Sequence, residues 1–353
     1  MKQLKNYKLF TALTLVAAIT ASCHKDKVNP DNGTPTAQRA GLYVLNQGNF
    51  GQNNSTLTYY DFSTLSLVAD QYTVANTGKL GDTGNDAGVY GSKMFITVNN
   101  SNIVDVVAAK NAKLLKQITL SQPRAVAFFG SNAFVTSYNG TVSVIDTTSL
   151  TITKTITVGP DPEQMVVSNG KLYVANSGGL NPTPNTTVSV IDPVGLTVTK
   201  TITGVVANPV SMTADTYGHV YVLSLGDFVS INAGMTIISN TTDAVTSTPA
   251  ANLSYNIPII NNGDFIYYFT ADNKIAVYNA KTQTLAQANF ITDGTTIKNP
   301  FAISADSNSG EIFITDAKDY ASNGTLYAFD KNGKKEYAIT VGVSPGKIVL
   351  VNK

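Results

Sequence analysis

Few residues of this chain could carry catalysis. Nucleophilic hydrolysis needs a serine or cysteine beside a histidine base, and the sequence holds two histidines, His24 and His219, and one cysteine, Cys23. Gly342-Val343-Ser344-Pro345-Gly346 matches the Gly-x-Ser-x-Gly pattern. A nucleophile elbow, however, sits on a strand-to-helix turn, whereas here a proline follows the serine and the segment joins two strand-like runs. Gly81-Asp82-Thr83-Gly84-Asn85-Asp86 gathers oxygen groups suited to calcium. It lacks the twelve-residue ligand spacing, and Asp and Asn are also what turns use to bond their own backbone. His/Cys metal sites are excluded by count, and no phosphate-cradling Gly-rich loop opens a helix, since no helix is expected. The chain therefore reads as a non-enzyme with no metal and no cofactor.

The chemistry left is recognition. An amide-rich loop, Asn46-Gln47-Gly48-Asn49-Phe50, offers neutral donors and acceptors with one aromatic ring. Asn99, Tyr138, Asn176, Asp227, Phe228 and Asp316 occupy corresponding loops further on, and Arg124, Glu163 and Phe301 each follow a proline. Such groups suit a bulky, amide-rich, weakly charged ligand, because every polar atom left unpaired on binding costs free energy. The bland alternative is that these are turn residues, with Arg124 and Glu163 pairing with one another.

What would bring them together is a repeat. Lys171-Leu-Tyr-Val-Ala-Asn176, Thr187-Val-Ser-Val-Ile-Asp192 and Thr199-Lys-Thr-Ile-Thr203 echo Asn132-Ala-Phe-Val-Thr-Ser137, Thr141-Val-Ser-Val-Ile-Asp146 and Thr153-Lys-Thr-Ile-Thr157. An aromatic recurs in the second strand of each unit, at Tyr43, Phe95, Phe134, Tyr173, Tyr221, Tyr267 and Phe313. A period of about 45 residues built of four short β-rich runs is that of a propeller blade. The expected fold is all-β, a seven-bladed β-propeller. The chain opens on a second strand, Leu42-Tyr-Val-Leu45, and closes on an unpartnered first strand, Lys347-Ile-Val-Leu-Val351. The C-terminal strand should thus complete blade one and remove the open edges. Pro123, Pro162, Pro209, Pro300 and Pro345 mark the start of the inner strand, where a residue lacking a donor is tolerated. Loops leading into first strands and loops joining second to third strands share one face, called the top here, and all the candidate residues fall on it.

Composition agrees. Charged residues are 13% of the chain, about half the usual share, and Thr, Ser, Asn and Gly replace them. Lys2, Lys5 and Lys8, an apolar run from Leu9 to Ile19 and Thr20-Ala-Ser-Cys23 read as a signal segment over 1–22 ending at a lipidated Cys23. Residues 23–40 read as a flexible tether and 41–353 as the propeller. Arg39 and Arg124 are the only arginines and no basic stripe is present, which argues against nucleic acid.

The Tyr-Val-Ala-Asn176, Val-Ser-Val-Ile-Asp192 and Thr155-Ile-Thr-Val-Gly159 elements resemble YncE-type seven-bladed propellers over nearly all of residues 42–353. Leu42-Tyr-Val-Leu-Asn-Gln-Gly-Asn-Phe-Gly51 and Ser55-Thr-Leu-Thr-Tyr-Tyr-Asp61 are similar to surface lipoproteins of Bacteroidetes, including the BtuG type, which captures cobalamin above a TonB-dependent transporter. The resemblance implies a ligand-binding lipoprotein of the outer membrane, at the cell surface rather than the periplasmic face, with a corrinoid ligand and a transporter partner. A protein-interaction or adhesion propeller, or a propeller hydrolase or lyase, are the competing readings.

Overall fold

The computed structural model describes residues 39–352. The signal segment, Cys23 and all of the tether before Arg39 lie outside them. Seven four-stranded antiparallel sheets follow one another. Blade 1 pairs Pro345–Asn352, Arg39–Asn46, Thr56–Asp61 and Leu67–Val68, from the inside outwards. Blade 2 begins at Gly84–Tyr90, blade 3 at Pro123–Phe129, blade 4 at Pro162–Ser168, blade 5 at Pro209–Ala214, blade 6 at Ile259–Asn262 and blade 7 at Pro300–Ala305. Each continues outwards in chain order through three further strands.

The closure is as the repeat phase requires. Leu42 faces Leu350, Tyr43 faces Val349 and Val44 faces Ile348 across the ladder joining the two ends of the propeller. That ladder starts at Arg39, two residues before the expected boundary. The five prolines each open an inner strand and are buried. The corner before the strand is sharp: Gln122, Asp161, Asn208 and Ser344 precede proline at φ of 41°, 43°, 61° and 51°. Positive φ of this kind is uncommon for residues with a Cβ.

The core lies between blades. Six of the seven repeat aromatics are fully buried and Tyr267 is nearly so. Each packs on the next blade: Phe95 against Ala133 and Val135, Phe134 against Leu172, Tyr173 against Val220, Phe313 against Leu42. Seven such wedges, one per junction, hold the ring. A second fastening lies nearer the channel. The Thr97 hydroxyl accepts from the backbone of Asp86 at 2.9 Å and donates to the Arg124 carbonyl at 2.8 Å. Thr136 does the same between Ala125 and Glu163, and Thr315 between Ala302 and Pro345.

One expectation is corrected. A short helix, Gln71–Ala75, follows the two-residue outer strand of blade 1. Its Tyr72 is buried and donates to Asp105 of blade 2 at 2.6 Å, while Asn76 bonds Ala112 and Leu114. The helix substitutes for missing outer-strand packing. Its sequence lacks the amphipathic run by which longer helices announce themselves.

Candidate functional site

The mouth of the top face has two unlike halves. On blades 2 to 4, the residue following the first position of the inner strand is Asn85, Arg124 and Glu163 in turn. Equivalent positions on adjacent blades face each other around a channel, so these side chains meet. The Arg124 guanidinium donates through Nε to Glu163 Oε2 at 3.0 Å, through Nη2 to Oε1 at 3.2 Å, and through Nη1 to Asn85 Oδ1 at 2.5 Å. Its Cζ lies 4.5 Å from the centre of the Tyr138 ring, and the Tyr138 hydroxyl donates to Glu163. Burial, then the Glu163 charge, push the Tyr138 phenol far above its usual range. Burial works against the Arg124 charge, but the neighbouring Glu163 outweighs it and holds the guanidinium above its ordinary value. One position deeper, Lys347 of blade 1 pairs with Asp86 of blade 2 at 2.7 Å. The pairing of Arg124 with Glu163, the alternative to a ligand role, is therefore present, as part of a fixed polar wall.

On blades 5, 6, 7 and 1 the mouth is aromatic. Phe301 meets Tyr320 edge to face, centroids 5.7 Å apart. The Tyr320 hydroxyl accepts from Asn256 Nδ2 at 2.8 Å, and its carbonyl accepts from Asn49 Nδ2 at 2.7 Å. Phe228 and Tyr255 stack at 6.0 Å, 61% and 80% exposed, beside a groove of about 460 Å³ floored by Leu225 and Leu253. Phe50 stands 75% exposed on the blade 1 loop. That loop is held from below by Asp82, which accepts from Gly51 and Asn53 backbone and from Asn100. Burial pushes the Asp82 carboxyl up, but its bonds from Thr83, Asn100 and the two amides prevail and hold it below its usual value.

The sequence candidates thus divide. Arg124, Glu163, Tyr138, Phe301, Asn49, Phe50 and Phe228 stand at the mouth or its rim. Asn46 and Asn176 are fully buried, each bonding two hydroxyls of its own blade (Thr56 and Thr58; Thr187 and Ser189). Asn99 donates to the Pro123 carbonyl, and Asp316 accepts from the backbone of Lys298, Asn299 and Lys318. These four fasten the frame rather than line the mouth. Gln47 packs on Gly346, where a Cβ would come within 2.7 Å of its amide. Asp227 closes a turn by accepting from Val229, Ser230 and Ile231. Asp82, Asn85 and Asp86, weighed as calcium ligands, each turn to a different partner. Ser344 is buried in the corner before Pro345, its carbonyl accepting from Gln47, and His219 lies on the opposite face, bonded to Asp215. Asn256 and Tyr255 of the loop entering blade 6 and the charge of Lys347 join the mouth only in the structure. For Lys347 a signal existed, since opposite charges occupy the same repeat position as Asp86 on the adjacent blade.

Residues 40–343 match the family described as a domain of unknown function, DUF5074, and the chain belongs to that family. No curated protein matches it. Among solved structures it is similar to a quinonprotein alcohol dehydrogenase-like protein from Bacteroides thetaiotaomicron, with 16% identity and a TM-score of 0.66 over 89% of this chain and 79% of that one. A candidate 6-phosphogluconolactonase from Bacteroides uniformis aligns at 14% identity and TM-score 0.66, over 89% of this chain and all of the other. Hydrazine synthase of Kuenenia stuttgartiensis aligns at 16% identity and TM-score 0.64, over 76% and 95%. Likeness at such identities establishes the propeller fold alone.

Proposed function

We propose that this DUF5074 chain is a ligand-capturing protein and not a catalyst: a lipoprotein anchored through Cys23 to the outer membrane, at the cell surface, whose mouth takes cobalamin or a similarly bulky nutrient and passes it to a TonB-dependent transporter. The observation that carries this reading is the amphipathic mouth. One half presents aromatic faces at Phe301, Tyr320, Phe228 and Phe50; the other presents a rigid polar wall at Arg124, Glu163 and Tyr138. A ligand with an apolar planar body and a fringe of amides satisfies both halves at once. Rigid aromatics supply contact area at little entropic cost. The prearranged ion pair needs no reorganisation when solvent leaves, which favours specificity over raw affinity.

Calorimetry of the full-length protein against cyanocobalamin tests it. Saturable heat is expected, with Phe301→Ala or Tyr320→Ala each weakening binding about tenfold, as for aromatic anchors of a buried contact. Absence of heat would remove the corrinoid. Unchanged affinity in both variants would move the site away from the mouth.

A second reading has its own observation. Val229 at 92% exposure, with Phe228, Ile231 and Tyr255 around it, forms an apolar rim of the kind protein partners cover. Retention of an outer-membrane transporter in the absence of any corrinoid, lost in Val229→Asp, would support it.

A further inference from the structure

The face opposite the mouth holds a cavity of about 820 Å³ between blades 1 and 2. In the other six blades a turn or short loop joins the inner strand to the second one on this underside; in blade 1 those strands come from opposite ends of the propeller, and among the described residues no turn joins them. The equivalent place between blades 4 and 5 is a hollow of about 650 Å³ with a polar lining that includes Ser168, Asn169, Asp215 and Asn240. At the junction of blades 4 and 5, the Tyr173 hydroxyl and Lys171 both bond Asp243, and Asn240 bonds Ser168 at 2.8 Å. At that of blades 5 and 6, the Tyr221 hydroxyl lies between Asp215 of its own blade and the Ala280 carbonyl of the next, and His219 bonds Gln283 at 2.9 Å. The equivalent Tyr43 of blade 1 is fully buried, with a hydroxyl that has no partner.

The cavity is also shaped. Tyr59 forms one wall, its ring centre 4.7 Å from that of Tyr43. It can lie there because residue 41 is glycine: a Cβ would come within 2.3 Å of the Tyr60 carbonyl and 2.8 Å of the Tyr59 hydroxyl. Val89, Ala109, Leu350 and Val351 complete an apolar lining. At the rim Asp61 is engaged by Ser63 and Thr64, whereas Lys110 is an exposed cation that takes part in no ion pair among the described residues. A volume of this size suits a medium-sized organic molecule.

We propose that this seam cavity is a second binding site, for a small amphiphile with an apolar body and one anionic group, a carboxylate or sulfonate, set against Lys110. The site is independent of the mouth and does not rest on the reading given for it.

The test uses the full-length protein and 1-anilinonaphthalene-8-sulfonate as a fluorescent probe, displaced by laurate or by dodecanol. Saturable dye binding at one site is expected, with laurate displacing it better than dodecanol and excess cyanocobalamin not at all. Ala109→Phe, which fills the cavity, should abolish binding. Lys110→Glu, at an exposed position with no packing role, should weaken it about fivefold, the range of a solvated charge contact. Lys110→Glu keeps the test readable if Ala109→Phe fails to fold. Dye binding unchanged in Lys110→Glu and in a folded Ala109→Phe would overturn the site, as would the lack of saturable binding. Equal displacement by dodecanol would overturn its anionic preference.

Discussion

A residue at the mouth acts only as far as its neighbours leave it free, and in this chain most of the polar ones are engaged. Asp82 shows how the loop of blade 1 depends on a group outside it: the amides of Gly51 and Asn53 both point at its carboxylate. Because the folded carboxyl is held below its usual value, this contribution is complete above the ordinary Asp range and fades as the pH drops through the folded value. Amide hydrogen exchange at Gly51 and Asn53, followed from pH 6 downwards through the acid range after correction for intrinsic rates, should show the loop loosening only below the ordinary Asp range; Asp82→Asn should loosen it throughout. The sequence made Asp82 visible as an oxygen-rich turn residue, but not that its partner was a loop on the preceding blade. Asn46 and Asn176 misled for a related reason. Their side chains look like free amides in a linear reading, and only strand pairing reveals hydroxyls of the adjacent strand within 3.0 Å.

At the scale of strands and blades, the threonine fastening is the most exposed to test. Thr136 bridges its own inner strand and that of blade 4 while fully buried. Thr136→Val keeps shape and volume but leaves an amide of Ala125 and a carbonyl of Glu163 unpaired. A loss of about 1–3 kcal/mol in denaturant unfolding is expected, the range for a buried unsatisfied group, and an unaltered midpoint would show that relaxation or water replaces the bond. The pattern is legible as Phe95-Ile-Thr97, Phe134-Val-Thr136 and Phe313-Ile-Thr315, while the four blades with tyrosine at the aromatic position carry Leu45, Ala175, Leu223 and Phe269 in place of threonine. Two of these tyrosines fasten through the phenol on the underside instead, Tyr173 to Asp243 and Tyr221 to Asp215 and the Ala280 carbonyl. Blade count, strand order and closure were legible because a period-two pattern repeated seven times averages out local ambiguity. The helix Gln71–Ala75 was not, since one turn and a half carries no period.

For the whole molecule, the eight residues Pro345–Asn352 complete a sheet whose other strands come from the opposite end of the propeller. A chain truncated after Ser344 should lose its cooperative thermal transition and become protease-sensitive at blade 1. Retention of a single sharp transition would mean that six blades suffice. The same closure has a consequence during synthesis. Strand Arg39–Asn46 precedes all other strands of the propeller and is the last to acquire its inner partner, so its inner edge waits unpaired while the other six blades emerge from the ribosome. Non-local pairing of this kind is slow, and a hydrophobic strand kept waiting is an invitation to aggregation. The buried Leu42, Tyr43, Val44 and Leu45 thus make the seam an inspection point at which a prematurely terminated chain is exposed to chaperones and proteases, and only a chain translated through its final strand conceals the mark.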